Sequence, residues 1–222
     1  MSSDEPLSWR NWRFAQLLVV TIASILVAGL ELGRAAALVG QVVILNAVLV
    51  ASSTTDARSK RRRRYLLASW GINLVLQVGI LAPKTSAFFL TADGAGAVMM
   101  GLCVWVIFLY VLRSQEITVD TIFASIVAYF LIALTFSRVY EIVQTVNPGS
   151  FGPSETAYTP LELAYFSLVT IATLGYGDIL PRIPLTQVLA VLEAVVGQFY
   201  VAVLVAWLVS AYIRDQERRK RT

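Results

Sequence analysis

Six long apolar runs constrain this chain more than any other feature of its sequence. Several of them approach the ~20 residues that an α-helix needs to cross the hydrocarbon core of a bilayer. The chain is 57% hydrophobic and 14% charged, with a mean hydropathy of +0.70, which excludes a soluble globular domain of this size. The sequence therefore predicts an all-α membrane protein with six transmembrane helices, at residues 14–30, 35–51, 65–82, 95–112, 121–146 and 185–213.

The placement of basic residues predicts how these helices are oriented. Six Lys and Arg residues lie in a cluster at 58–64, between the second and third runs, and five more follow the sixth run at 214–221. The loops on the opposite side carry only Arg34, Lys84 and Arg182. Because cytoplasmic loops are enriched in Lys and Arg, we expect both termini in the cytoplasm and the protein in the plasma membrane. Next to apolar helices, the two basic clusters are candidate contacts for anionic lipid rather than for nucleic acid.

Between the fifth and sixth runs lies the stretch Thr-Leu-Gly-Tyr-Gly-Asp, at 173–178. Glycine reaches backbone conformations that a Cβ forbids, so Gly175 and Gly177 allow successive carbonyl groups to face one side of an extended strand. Four such strands around an axis would stack rings of oxygens that replace the water shell of a cation. Upstream, Thr159 as a cap and Pro160 as the first helical residue predict a half-length helix over 158–172. The alternative is a re-entrant turn that binds no ion.

The stretch at 173–178 resembles the selectivity filter of the tetrameric potassium channels, whose usual form is Thr-Val-Gly-Tyr-Gly-Asp. The resemblance in pattern extends over residues 118–213 and departs from the usual form at Leu174. It implies a re-entrant pore helix and filter loop between helices five and six, four identical chains around one pore, and potassium ions as the conducted species. The ion-binding residues that it implies are Thr173, Leu174, Gly175, Tyr176 and Gly177.

The same resemblance implies roles for residues beside the filter. Asp178 would form an anionic outer mouth, which concentrates cations. Tyr165, Phe166 and Thr170 would support the filter, and a hydrogen bond from Tyr165 to Asp178 would hold the strand in register. The alternative for Phe166 is ordinary packing in lipid or in the protein core.

The sixth run carries candidate residues for a hinge and a gate. Gly197 resembles the glycine hinge of inner helices in this family, although an isolated glycine in a membrane helix also permits close helix contact. Counting on by three and four residues, Val201, Val205 and Val209 form one apolar stripe. We expect this stripe to line a cavity that narrows toward the cytoplasm, with packing against neighbouring helices as the alternative.

Charged residues inside the predicted spans are costly in lipid and need partners. Arg138 in the fifth span and Glu193 in the sixth lie at matched depths, which predicts an ion pair behind the filter. The alternative is a bridge from Arg138 to Glu141, one turn further along the same helix.

Three regions follow from these assignments: a four-helix transmembrane domain at 1–115, a pore domain at 116–213 and a short basic cytoplasmic tail at 214–222. In voltage-gated channels of the family that this sequence resembles, the fourth helix is a voltage sensor with Arg or Lys at every third position. The run at 95–112 has no charged residue. Because moving charge is what couples opening to voltage, we expect only weak voltage dependence. The sequence leaves the gating stimulus open.

The predicted function is a potassium-selective ion channel. A weakly selective cation channel is one alternative, because Leu174 and Ala172 depart from the usual filter. A membrane scaffold or sensor with a vestigial pore is another. An enzyme is not predicted, and no organic cofactor is expected, since the chain has no histidine and its one cysteine, Cys103, lies inside an apolar run.

Overall fold

The computed structural model describes residues 13–28, 64, 71, 87–113, 119–154 and 156–221. This part of the chain contains five α-helices and two short strands. In chain order they are α1 (Arg13–Ala28), α2 (Ala87–Arg113), α3 (Val119–Val146), β1 (Phe151–Gly152), α4 (Pro160–Ile171), β2 (Leu180–Pro181) and α5 (Pro184–Arg221). The predicted second and third spans, and the basic cluster at 58–64, lie outside the described residues except for positions 64 and 71.

Three of the described helices are long and apolar enough to cross a membrane. Their apolar segments are Gly94–Leu112, Asp120–Val146 and Pro184–Trp207, which correspond to the predicted fourth, fifth and sixth spans. Shorter apolar helices occur at Phe14–Ala23 and Pro160–Ile171. The described part of the chain is thus mostly helical, with the character of an integral membrane protein.

The helix α4 starts as the sequence predicts. Thr159 is extended, with φ −71° and ψ 160°, and its side chain accepts a hydrogen bond from the backbone N–H of Glu162. The Glu162 carboxylate in turn accepts from the backbone N–H of Thr159 over 2.7 Å. This capping box, with Pro160 in the first turn, satisfies N–H groups that an uncapped helix would leave unpaired. Both ends of α4 lie two residues or fewer from the predicted limits of 158–172.

The segments on either side of α4 pair with each other. β1 and β2 are antiparallel, with Phe151 opposite Pro181 and Gly152 opposite Leu180. Beside this pairing, the Arg182 N–H donates to the Ser150 carbonyl oxygen over 2.8 Å. The chain from β1 to β2 therefore forms a closed excursion between α3 and α5 that contains α4 and the stretch at 173–178.

Two apolar clusters pack the described helices together. The larger joins all five described helices, and contains Phe14, Cys103, Ile107 and Leu131. The smaller joins α3, β1 and α4, and contains Tyr140, Phe151, Leu163, Phe166 and Ile179. The second cluster lies directly behind the excursion, so that α4 rests on α3.

The helix that contains the predicted fourth span begins earlier than expected. The span was predicted from residue 95, but α2 already begins at Ala87. A single glycine costs only about 1 kcal/mol in a helix, and packing against α3 offsets that cost. The helix α5 also continues past the predicted sixth span, through the basic tail as far as Arg221. Its Arg, Lys, Glu and Gln residues are good helix formers, and no glycine or proline interrupts them.

Candidate functional site

The backbone of the stretch at 173–178 alternates in handedness. Thr173 has φ +57°, Gly175 has φ +56° and Gly177 has φ +78°. Positive φ at every second residue is an arrangement in which successive peptide groups can turn the same way, which a regular β-strand does not allow. Two of the three positions are glycine, for which a positive φ carries no steric cost. Among the described residues, Thr173 is the one non-glycine residue with positive φ, and such backbone strain concentrates at functional sites.

The start of this stretch is held by the end of α4. Thr173 N–H donates to the Thr170 carbonyl oxygen and Leu174 N–H donates to that of Val169, both over 2.9 Å. The hydroxyl of Tyr129, on α3, donates to the carbonyl oxygen of Ile171 over 3.0 Å. These contacts pair carbonyl groups at a helix end that would otherwise lack partners. The turn from α4 into the stretch is therefore anchored to two helices.

The other end of the stretch is held by Tyr165. Its hydroxyl donates to the Asp178 carboxylate over 2.8 Å, so the hydrogen bond predicted between these two residues is confirmed. The Tyr165 ring also stacks on the Tyr176 ring, with centroids 6.5 Å apart. Phe166 turns the other way and is buried against Tyr140 and Phe151, in edge-to-face contacts at 5.2 and 5.3 Å. The core-packing alternative holds for Phe166.

The stretch is open to one side in the single chain. The side chains of Leu174 and Tyr176 are 57% and 66% exposed, and every residue from 173 to 178 is exposed. The described part of the same chain therefore does not bury the Leu174 side chain. One such strand cannot surround an ion, so a closed ring of ligands would need further copies.

Gly197 lies in close contact with the end of α4. A Cβ at this position would come within 2.6 Å of Ile171 Cγ1 and 2.7 Å of the Ile171 carbonyl oxygen. The helix α5 continues through Gly197 without interruption. The alternative of close helix packing is thus present in the structure, and the hinge role stays a prediction.

The predicted ion pair between Arg138 and Glu193 is wrong. The guanidinium of Arg138 lies 3.5 Å from the carboxylate of Glu141, the alternative that the one-turn spacing allowed. Glu193 instead accepts a hydrogen bond from the Tyr140 hydroxyl over 2.6 Å and contacts the Ser167 hydroxyl. Matched depth in neighbouring helices did not specify which way each side chain turns, and hydroxyl groups on α3 and α4 are the partners of Glu193.

Gln198 is a candidate site residue that sequence reasoning missed. Its side-chain amide lies 3.5 Å from the Thr173 hydroxyl, at the inner end of the stretch. Counting from Gly197 found Val201, Val205 and Val209, whose side chains are about half exposed in the single chain. Gln198 precedes Val201 by three residues and so belongs to the same helix face. Counting three residues back from Val201, toward the N-terminus, would have found Gln198.

The segment that leads into α4 is also anchored through a residue that the sequence did not single out. The Gln144 side chain on α3 donates to the Tyr158 carbonyl oxygen over 2.8 Å and accepts from the Tyr158 N–H over 2.9 Å. The sequence signal for this contact was the presence of Gln144, a polar side chain, near the end of the apolar run at 121–146. The start of α4 is thereby tied to α3 before the helix begins.

Comparison with known proteins identifies the region that contains this site. Residues 116–214 match the family model described as "Ion channel". The inward rectifier potassium channel Kirbac3.1 of Paramagnetospirillum magnetotacticum is 31% identical over 84 residues, covering 38% of this chain and 25% of that protein. The two pore potassium channel c of Oryza sativa subsp. japonica is 30% identical over 96 residues, covering 43% of this chain and 20% of that protein.

A third relative is matched over most of its own length. Protein LctB of Bacillus caldotenax is 28% identical over 115 residues, covering 49% of this chain and 85% of that protein. The chain thus spans a quarter or less of the two named potassium channels and most of LctB. No solved structure matches the chain. The family match indicates a channel rather than an enzyme, and residues 116–214 of the chain are similar to parts of known potassium channels.

Proposed function

We propose that four copies of this chain form a potassium-selective channel in the plasma membrane, with both termini in the cytoplasm. The observation that carries the proposal is the positive φ of Thr173, Gly175 and Gly177 in a Thr-Leu-Gly-Tyr-Gly-Asp segment. An alternating backbone of this kind presents a column of carbonyl oxygens to one side. Such oxygens are ligands that can replace the water around a bare cation.

Potassium is the substrate of this site. The carbonyl groups of Thr173, Leu174, Gly175 and Tyr176 supply four oxygens per chain, and the Thr173 hydroxyl supplies a fifth at the cytoplasmic end. Gly177 supplies the left-handed backbone that closes the column. Because these ligands are neutral dipoles, each ion is bound without a fixed counter-charge and can be displaced by the next.

Four chains are proposed because one strand leaves its ligand face open. The exposure of Leu174 and Tyr176 in the single chain supports burial against neighbouring copies. Closed cyclic symmetry places the same carbonyl groups from each chain at equal distances from the axis. One face of α5 carries the exposed apolar residues Val188, Val191, Leu192 and Val195. Neighbouring copies could cover this face, which supports the same arrangement.

Electrostatics favour cations at both ends of the proposed pore. Asp178 places one carboxylate per chain at the outer mouth, where four would raise the local concentration of cations. The C-terminal end of α4 carries a partial negative charge, which favours a cation by roughly 0.3–1 kcal/mol per helix. Below it, Val201, Val205 and Val209 line an apolar cavity and form the gate region, and Gly197 supplies the hinge.

Voltage is not the main stimulus in this proposal. The apolar segment Gly94–Leu112 of α2 carries no charged residue, so it moves almost no charge across the membrane field. Each elementary charge is worth ~2.3 kcal/mol per 100 mV, and steep gating needs several per subunit. The basic clusters at 58–64 and 214–221 are proposed contacts for anionic lipid, at ~1 kcal/mol per basic residue.

A flux assay on purified protein tests the proposal. The protein is incorporated into liposomes with a potassium gradient, and its mass in detergent is measured by native mass spectrometry. We expect a mass of four chains and potassium release that is much faster than sodium release from matched liposomes. Equal release of the two ions would favour the weakly selective cation channel. A tetramer that releases neither ion would favour a scaffold with a vestigial pore.

A further inference from the structure

Glu193 is a buried carboxyl group that the proposed conduction mechanism does not use. It lies within the membrane-spanning part of α5, and its exposed fraction is 0%. An ionised carboxylate in such a place is costly unless it has a compensating partner. The contacts of Glu193 therefore indicate whether its carboxyl group is protonated and what structural role it has.

Two oxygen–oxygen contacts connect Glu193 to two other helices, and a third connects its partner Ser167 to α3. The Tyr140 hydroxyl, on α3, lies 2.6 Å from Glu193 Oε2. The Ser167 hydroxyl, on α4, contacts Glu193 Oε1. The same Ser167 oxygen lies 2.6 Å from the backbone carbonyl oxygen of Ala133, on α3. The carboxyl group thus joins the outer helix α3, the half-length helix α4 and the inner helix α5 at one point.

Counting protons assigns the form of the carboxyl group. Three two-centre hydrogen bonds need three protons, one for each oxygen–oxygen contact. The hydroxyl groups of Tyr140 and Ser167 bring one proton each, and the Ala133 carbonyl brings none. If each contact is a separate two-centre hydrogen bond, the third proton lies on the Glu193 carboxyl. Ser167 donates to Ala133 and accepts from Glu193, while Tyr140 donates to the other carboxyl oxygen.

A second contact lies one turn further along both helices. Ser167 and Ile171 are four residues apart on α4, as Glu193 and Gly197 are on α5. At the second position Gly197 packs so closely that a Cβ would lie 2.7 Å from the Ile171 carbonyl oxygen. The two contacts fix the register of α5 on α4 over one full turn, and α4 ends two residues before Thr173.

We propose that Glu193, in its protonated form, is a positioning residue for the filter: it joins the inner helix to α4 through Ser167 and to the outer helix through Tyr140. Movement of the inner helix is thereby transmitted to the start of the stretch at 173–178. This role rests on the proposed potassium conduction. Glu193 itself touches no ion.

The protonated carboxyl group is tested by infrared spectroscopy, independently of conduction. The wild-type protein and Glu193→Gln are compared in the same detergent at neutral pH. We expect the wild-type spectrum to contain the C=O stretching band of a protonated carboxylic acid that is absent from the Glu193→Gln spectrum. A difference spectrum that shows only the loss of carboxylate bands would overturn the assignment.

The positioning role is tested by the potassium-to-sodium permeability ratio in bilayers. Glu193→Gln should keep this ratio within about twofold of wild type, because its amide donates to Ser167 and accepts from Tyr140 as the protonated acid does. Glu193→Leu and Ser167→Ala should each lower it by about fivefold or more, since each leaves buried polar groups without a partner. Ser125→Ala is the matched control, because the buried Ser125 hydroxyl donates within its own helix, to the Thr121 carbonyl oxygen at 2.9 Å.

The outcomes separate this role from simple stability and from the conduction proposal. Ser167→Ala changes little volume, so it remains informative if Glu193→Leu fails to assemble. A Ser167→Ala channel with the wild-type ratio, or a Glu193→Gln channel that loses it, would overturn the positioning role. A wild-type protein that passes no potassium would overturn the conduction proposal, and the positioning role with it.

Discussion

The hydroxyl of Tyr165 donates a hydrogen bond to the carboxylate of Asp178 over 2.8 Å, joining the middle of α4 to the residue that ends the filter stretch. Thirteen residues of chain separate the two, and the whole alternating backbone lies between them. The bond therefore closes a loop around the proposed ion-binding residues. Its removal should loosen the outer end of that loop and leave α4 in place.

Tyr165→Phe tests this closing bond. The ring stack on Tyr176 would remain, and only the hydroxyl would be lost. A hydrogen bond to a charged group stabilises less at an exposed site than in a buried one, so we expect a modest effect here. The steady-state open probability in bilayers should fall several-fold. Tyr158→Phe is the control, because its hydroxyl accepts from the Ser154 N–H at 3.0 Å, away from the filter. Equal open probability in the two variants would contradict the closing role.

Gly175→Ala tests whether the left-handed backbone is the conduction path. No atom lies within 4 Å of a Cβ built at Gly175, so the cost is the strain of φ +56° in a residue with a Cβ, about 1–2 kcal/mol. We expect potassium conductance to be lost while the tetramer still assembles.

Gly149→Ala is the matched control for this change. Gly149 also has positive φ, +86°, and open space around it, but it lies in the turn before β1. It should suffer similar backbone strain and conduct normally. Normal conductance in Gly175→Ala would show that this strand is not the path of the ions.

Gly197→Ala tests the close contact between α5 and α4. The added methyl group would overlap Ile171, including its backbone carbonyl oxygen, which cannot move away as a flexible side chain would. Overpacking of this kind costs about 1–3 kcal/mol, so the melting temperature of the purified protein should fall by several degrees. Gly101→Ala, in α2 with no atom within 4 Å of its Cβ, should leave it unchanged or raise it. A stable Gly197→Ala protein with altered gating would instead favour the hinge role.

Gln198→Met tests the amide beside the innermost ligand. In the wild type the Gln198 N–H group points at the Thr173 hydroxyl oxygen from 3.5 Å and competes for its lone pairs. Methionine has similar volume and no donor, so cations should bind more tightly at the Thr173 ring. Barium, which resembles potassium in size but carries two charges, is a sensitive probe of this ring when applied from the cytoplasmic side.

We expect the barium concentration for half block to fall by about twofold to tenfold in Gln198→Met, the range that one neutral hydrogen bond spans. Gln187→Met is the control on the same helix, because the Gln187 amide donates to the Pro181 carbonyl oxygen at 3.4 Å, near the outer end. Unchanged block by barium in Gln198→Met would show that the amide does not act on the ion.

The sequence predicted elements whose signals are local. The start of α4 followed from Thr159 as a cap and Pro160 as the first helical residue, because both signals act within one turn. The Tyr165–Asp178 bond followed from the family resemblance at 173–178. Positive φ at Gly175 and Gly177 followed from the chemistry of glycine.

Contacts between helices were harder to predict from the sequence. Equal depth placed Arg138 and Glu193 near each other, but rotation of each helix about its axis decides which side chains meet, and periodicity alone leaves that rotation open. Ser167, Tyr140 and Tyr129 read as unremarkable residues in apolar runs, and their roles emerge only when α3, α4 and α5 are packed together. Gln198 was missed for the same reason.

The potassium-to-sodium reversal potential is the most direct test of the central claim that residues 173–178 form a potassium-selective filter. Purified protein is recorded in a planar bilayer with potassium on one side and an equal concentration of sodium on the other. The proposed carbonyl column predicts a reversal potential displaced far toward the potassium equilibrium potential, and loss of the current in Gly175→Ala. A reversal potential near zero, from a current that requires the protein, would contradict the claim.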